Sequence, residues 1–352
     1  MKSKIMGTCI LIVMMIVGIG YFIFQQKSST ITLDGYLGGE KIGLYEDEEI
    51  QQILKKKYHI SMEYSRAGSL DMITADLQGK NYLFPSSQTA LEYYQDVYGQ
   101  TVSDEIIFNT PIVLYTHKLV ADAFVKNGIA TCTDDVYYAD MKKLTGLLLE
   151  EKQWSDVGLT QLYGNICIDT TDPVRSNSGN MFAALLAYVL NDGKTVDSQS
   201  ADKLLPELKK IFSQLGYMET SSSDLFRQFI GTGVGAKPII AGYENQLLEY
   251  AAEKPEEFEK IKEDMVILYP TPTVWSTHVY IALDEDGTKG IEALLDEKIQ
   301  KLAWEKHGFR TGQYEINTEK GNNGVKGVPE QIVSAVNIPA YPAMKKIMEG
   351  LK

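Results

Sequence analysis

The chain has 352 residues, 44% of them hydrophobic, which is enough for two domains with sizeable cores. Its 47 acidic residues outnumber 34 basic ones, and the formal net charge of −13 excludes nucleic acid and anionic membrane surfaces as partners of the whole molecule. Three cysteines and four scattered histidines offer no CxxC, HExxH or similar spacing, so neither a metal nor a cofactor is expected.

At the start of the chain, Lys2 and Lys4 precede an uncharged run of 20 residues from Ile5 to Phe24. That length can just cross a hydrocarbon core of roughly 30 Å as a helix. No small-residue cleavage site follows, so residues 1–27 read as an uncleaved N-terminal transmembrane helix. The early lysines favour a cytoplasmic N-terminus, placing the folded domains outside the cytoplasm on a single-pass cell-membrane protein.

After a polar linker, strand-like and helix-like patterns alternate. Ile31 to Leu33 reads as a strand, Gly35 to Lys41 as a glycine-rich loop, and Leu44 to Tyr58 carries helical spacing. Strands follow at Ile60–Tyr64, Tyr82–Phe84 and Ile112–Tyr115, then a helix that stops near Gly128. The second half continues with a strand at 165–168, helices at 181–191 and 201–215, a strand at 238–241, a helix at 244–253 and strands at 265–269 and 277–283. A helix over 288–305, a surface loop from Thr311 to Pro329 and a last helix over 343–351 complete the chain. Such alternation indicates βαβ units and largely parallel sheets, and the length divides them into two doubly wound α/β lobes.

Ligands of doubly wound sheets sit beyond the carboxyl ends of the strands. Those positions hold Gly35 to Lys41, Ser65 to Ser69, Ser86 and Ser87, Asp172 to Ser178, Gly242 to Asn245, and Tyr269 to Trp275. They are rich in hydroxyls, amides and aromatics, and hold no nucleophile–base pair, so no enzyme is expected. The most informative segment is Asp172-Pro-Val-Arg-Ser-Asn-Ser-Gly179, between the apolar run 165–168 and a helix. Strand, polar turn and helix leave unpaired amides at a helix start, where Ser176, Asn177 and Ser178 add donors. Serine and asparagine are also the preferred capping residues, so a plain N-cap turn competes with a small-molecule site.

Taken in order, Phe108-Asn-Thr-Pro-Ile-Val-Leu-Tyr115, Asn165-Ile-Cys-Ile168, the 172–179 turn, Pro238-Ile-Ile-Ala-Gly-Tyr-Glu-Asn245 and Leu268-Tyr-Pro-Thr-Pro-Thr-Val-Trp275 resemble bacterial extracellular solute-binding proteins. The resemblance is to the type 2 periplasmic-binding-protein fold of the molybdate- and phosphate-binding kind, over about residues 30–310. It implies two lobes joined by crossing segments with a hinge and an inter-lobe cleft. Lobe I would combine residues 28–111 and 272–352, and lobe II would span 112–271. By the same resemblance the ligand contacts are Gly38, Gly39, Ser65, Ser69, Ser86, Ser87, Ser176, Asn177, Ser178 and Tyr243. The function implied is capture of a small polar solute, an oxyanion among the candidates, for a membrane transporter. The retained membrane helix departs from that pattern and leaves open a cell-envelope sensor or protein-interaction module with an envelope partner protein.

Other residues admit two readings each. Glu244 either meets a cationic ligand group or favours its helix N-terminus. Asp172 is a turn residue or a cleft carboxylate, and Arg175 either neutralises a carboxylate or binds an anion. Tyr269 and Trp275 line the cleft or simply pack. His278 reads as a hydrogen-bonded core or rim residue, and His307-Gly308 as a helix C-terminus. Gly231-Thr-Gly-Val-Gly235 precedes an apolar run instead of opening a helix and is no phosphate loop. Cys132 and Cys167 either pair or stay free, with Cys167 as a core residue.

Overall fold

The structure, a computed structural model, describes Met15, residues 30–312 and residues 322–352. The expected membrane anchor, Met15 apart, and residues 313–321 of the expected loop lie outside the described residues. Among the described residues no helix is long and apolar enough to cross a membrane.

Ten strands hydrogen-bond into one sheet among the described residues. They are β1 (Ile31–Leu37), β2 (Ile60–Arg66), β3 (Tyr82–Phe84), β4 (Ser103–His117), β5 (Ala130–Thr133), β6 (Val136–Asp140), β7 (Ile239–Tyr243), β8 (Met265–Thr271), β9 (Thr273–Ala282) and β10 (Ala335–Val336). The path runs β2-β1-β3-β9-β4-β8-β6-β5, with β7 beside β4 and β10 beside β9.

One strand makes the sheet continuous. The first part of β4 pairs with β9 as far as Pro111 opposite Trp275, and its last part, from Ile112, pairs with β7 and β8. The expectation of largely parallel sheets is therefore corrected. β1–β2, β1–β3 and β6–β8 are parallel, whereas β4 and β9 run antiparallel to each other and β4 also to β7 and β8. Long strands that pass between the halves enter them against the direction of the βαβ units.

Each half has its own core. Leu33, Leu37, Phe84, Phe108, Tyr280 and Phe309 fill the first, and Ile112, Leu114, Phe124, Met181, Phe182 and Ile239 the largest one in the second half. The last helix, Tyr341–Leu351, buries Ala343, Met344 and Ile347 in that second core beside Leu204 and Leu208. Expected with lobe I, it contacts both halves: it packs on the Ser198–Phe212 helix, while Tyr341 stacks on Tyr93 and its amide donates to Glu92 Oε2 at 2.7 Å.

Three further differences have local causes. Residues 165–168 form no strand: Ile166 and Ile168 are buried, but the backbone touches β7 only through the Asp169–Ile240 bridge. The helix expected over 288–305 breaks into Thr288–Leu294 and Glu297–Glu305, because Asp296 accepts the Lys298 and Ile299 amides at 2.9 and 3.3 Å and caps the second. The helix expected over Leu44–Tyr58 likewise restarts at Asp47, which caps Glu48–Ile53. Cys132 and Cys167 are unpaired; Cys132 is exposed and Cys167 half-buried, so neither is a fully enclosed core residue.

A buried ion pair ties the halves together behind the crossing strands. Arg310 meets Glu244 through Nε–Oε2 at 2.6 Å and Nη2–Oε1 at 2.8 Å, and Tyr269 Oη donates to Glu244 Oε1 at 2.7 Å. Glu244 is fully buried and Arg310 nearly so, which assigns Glu244 to the fold. Removing one partner of a buried pair leaves a naked charge. Arg310→Met is expected to cost about 3–5 kcal/mol in urea unfolding, and Arg310→Met with Glu244→Leu to recover part of it.

Candidate functional site

In the first half, the carboxyl ends of parallel β2, β1 and β3 lie side by side, with Leu37 opposite both Arg66 and Phe84. Beyond β1 the chain turns at Gly38 into a short 3-10 turn, Gly39–Lys41. Lys41 points inward and is fully buried. Its Nζ pairs with Glu40, donates to Ser86 Oγ at 2.7 Å, lies 3.1 Å from His278 Nδ1 and sits over the Phe84 ring. Ser86 Oγ also bonds Glu40, and the Ser86 amide donates to Ser69 Oγ at 2.9 Å.

This network fixes charge states. Burial alone would raise the Glu40 carboxyl, but the charge of Lys41, with hydrogen bonds from Lys41 and Ser86, holds it down at about 2. Burial pushes His278 well below the usual imidazole range, helped by Lys41. The imidazole is thus a neutral member of the core, as its apolar strand setting implies.

In the second half, Asp172 organises the turn. Its Oδ1 accepts the Val174 amide at 2.8 Å and its carbonyl the Ser176 amide at 2.9 Å. The helix Asn177–Leu190 then starts four residues earlier than its apolar spacing suggests, with Ser176 as N-cap. Ser178 Oγ lies 2.7 Å from Thr171 Oγ1, which accepts the Gly179 amide at 2.8 Å. A side chain at position 179 would collide with the Thr171 carbonyl, so glycine is required there. The N-cap Ser176 makes no side-chain cap bond, leaving the Asn177 and Ser178 amides without a side-chain acceptor.

The Asn177 side chain joins the halves. Nδ2 donates to Ser86 O at 2.8 Å, Tyr243 Oη at 3.0 Å and Ser276 Oγ at 3.3 Å. A second helix, Ser222–Thr232, begins opposite, its N-cap Ser221 bonded to Arg66, whose guanidinium also lies 3.8 Å from Asp224. Between these segments lies a cavity of about 380 Å³, within the size range of small-molecule sites.

Six of the expected contacts, Gly38, Gly39, Ser69, Ser176, Asn177 and Tyr243, line this cavity. Ser86, Ser87 and Ser178 are buried outside its lining: Ser86 and Ser178 are engaged as above, and the Ser87 hydroxyl has no partner among the described residues. Ser65 is not at the site. It sits within β2 opposite Tyr36, exposed on the outer strand, because the strand runs on to Arg66. Trp275 lines a different space, a cavity of about 760 Å³ with Asn109, Thr277 and Arg310, whose wall borders the undescribed segment. Tyr269 is buried against Glu244. That second cavity is larger and is bordered by Gln88 at one helix start, but the 380 Å³ cavity takes its lining from the first turns of two helices, Asn177–Leu190 and Ser222–Thr232, and is the better candidate.

The residues that sequence reasoning missed are Asp71, Thr220, Ser221, Ser222 and Asp224, and Arg66 fell within the Ser65 to Ser69 segment without being singled out. Ser-Ser-Ser-Asp over 221–224 is an N-cap signature that could have marked the second helix start. Nothing local ties Arg66 to it across 155 residues.

No known family matches the sequence, and no curated protein is similar to it. Solved structures are similar. A periplasmic thiamin binding protein superposes with a TM-score of 0.61 at 8% identity, covering 91% of this chain and 96% of the other. Apo ferric ion-binding protein A of Pasteurella haemolytica gives 0.56 at 14%, covering 91% and 95%. The substrate binding protein of an ABC transporter from Agrobacterium tumefaciens gives 0.55 at 14%, covering 93% and 96%. The fold is therefore the two-lobed, type 2 fold of periplasmic solute-binding proteins.

The Glu40 carboxyl gives a pH test. Its pKa is depressed in the folded state, so its stabilisation is present above the ordinary value of 4.5 and is lost as pH falls toward about 2. Urea unfolding should show stability falling across that window, and Glu40→Gln should flatten the fall.

Proposed function

We propose that the protein captures a small polar solute between its lobes, outside the cytoplasm, and is held to the membrane by its N-terminal segment. The observation that carries this reading is the cavity walled by the open ends of β1 and β2 from one half and by the Asn177 and Ser222 helix starts from the other. Helix starts present amides and a positive dipole end to a polar ligand, and Ser69, Ser176 and Tyr243 add hydroxyls. The site calls for binding, with no reacting group of its own. A transporter that accepts the solute is the partner suited to this fold, since similar structures include a substrate binding protein of an ABC transporter. Lobe I, as residues 28–111 with 272–352, and lobe II, as 112–271, remain our proposed division.

Closure depends on Gly68. A Cβ there would lie 2.9 Å from the Arg175 carbonyl and 3.1 Å from Asp71 Oδ2, so a larger residue wedges the mouth apart. Thermal-shift screening of the full chain in detergent against oxyanions, amino acids, polyamines and sugars is expected to find one stabilising class. Ligand at a hundred times Kd adds about 2.7 kcal/mol, a shift of several degrees. Gly68→Val should keep the fold and lose most of that shift. Stabilisation by none of the four classes would refute solute capture.

A further inference from the structure

The charges at the cavity narrow the class of solute. Two cations, Arg66 and Arg175, line it against three carboxylates, Glu40, Asp71 and Asp224. Three of these are already engaged: Glu40 with Lys41, and Arg66 with Asp224 and Ser221. Among the described residues, Arg175 and Asp71 make no ion pair. They come from opposite halves, and both residues approach Gly68 at the mouth, Arg175 with its backbone carbonyl and Asp71 with its carboxylate.

A free oxyanion would gain Arg175 and the amides of Asn177 and Ser178, yet it would face Asp71, among the described residues the one lining carboxylate without a cation partner. A plain amine would gain Asp71 and face Arg175 and a positive helix end. A molecule carrying both charges satisfies both groups at once. We propose that the solute is a small zwitterion, its acidic group held by Arg175 and the first-turn amides of the Asn177–Leu190 helix and its ammonium by Asp71. This assignment rests on the solute-capture reading above. It also couples recognition to closure, because the two ends of the solute are held by opposite lobes and only a molecule with both ends favours the closed state.

The test uses matched pairs differing only in the ammonium: taurine against isethionate, and 4-aminobutyrate against butyrate, by calorimetry on the full chain in detergent. In at least one pair the zwitterion should bind about tenfold tighter or better, the scale of one charge-assisted hydrogen bond. Asp71→Asn, an exposed change, should weaken the zwitterion about tenfold and leave its acid-only partner no weaker. Arg175→Gln should weaken both members. Circular-dichroism melts check that each variant stays folded. Equal binding within both pairs, tighter binding of the acids alone, or a preference that survives Asp71→Asn overturns the zwitterion assignment and leaves solute capture standing. The same holds if both pairs fail while a sugar or sulfate binds. Failure of these pairs and of every class in the wider screen removes both readings.

Discussion

The side-chain amide of Asn177 is the contact on which the geometry of the site depends. Three acceptors meet it: the Ser86 carbonyl just beyond β3, the Tyr243 hydroxyl at the end of β7 and the Ser276 hydroxyl on β9. These segments belong to the first half, the second half and the strand that crosses between them. Because Asn177 is also the first residue of its helix, the same residue that ties the segments together aims the helix start at the space they enclose. The two N–H bonds of the amide are shared among these acceptors, while its Oδ1 is buried without a partner among the described residues.

Around that point, charge is handled in two ways. In the cavity's inner wall and behind it, ionised groups are buried and saturated: Glu40 with Lys41 and Ser86, and Glu244 with Arg310 and Tyr269. At the mouth, Arg66 reaches Asp224 across the gap, and Gly68 faces the Arg175 carbonyl so closely that a Cβ there would lie 2.9 Å from it, both in partly exposed settings. Exposed pairs are worth about 0–1 kcal/mol, whereas breaking a buried one costs several. This contrast favours a hinge at the rear and opening at the mouth, where β4 and β9 cross as paired strands.

Much of this was legible in the residues, for identifiable reasons. The turn Asp172–Gly179 announces a helix start through its Ser and Asn, and the strands at Ile60 and Tyr82 through alternation or a short apolar run between polar turns. What escaped sequence reading is what depends on distant partners. The length of β4 is set by β9, β7 and β8 in turn, and its first residues carry no apolar alternation that would extend it. The β5–β6 hairpin is polar, and it turns at Asp134 and Asp135 in left-handed backbone that no glycine advertises. Arg310 lies 66 residues from Glu244, so the pair reads only in space, and Glu244 looks like a free carboxylate until then. Ser65 was placed at the site because β2 was expected to stop at Tyr64. One further pair of residues moves the strand end, and the site, to Arg66.

The account stands most directly on where a bound molecule sits. A crystal structure of the full chain grown with the solute that most stabilises it should show density between the Asn177 helix start and Gly68, within hydrogen-bond distance of the Asn177 or Ser178 amide. Density instead beside Trp275 behind the crossing strands, or a cleft that stays empty at saturating solute, would contradict it.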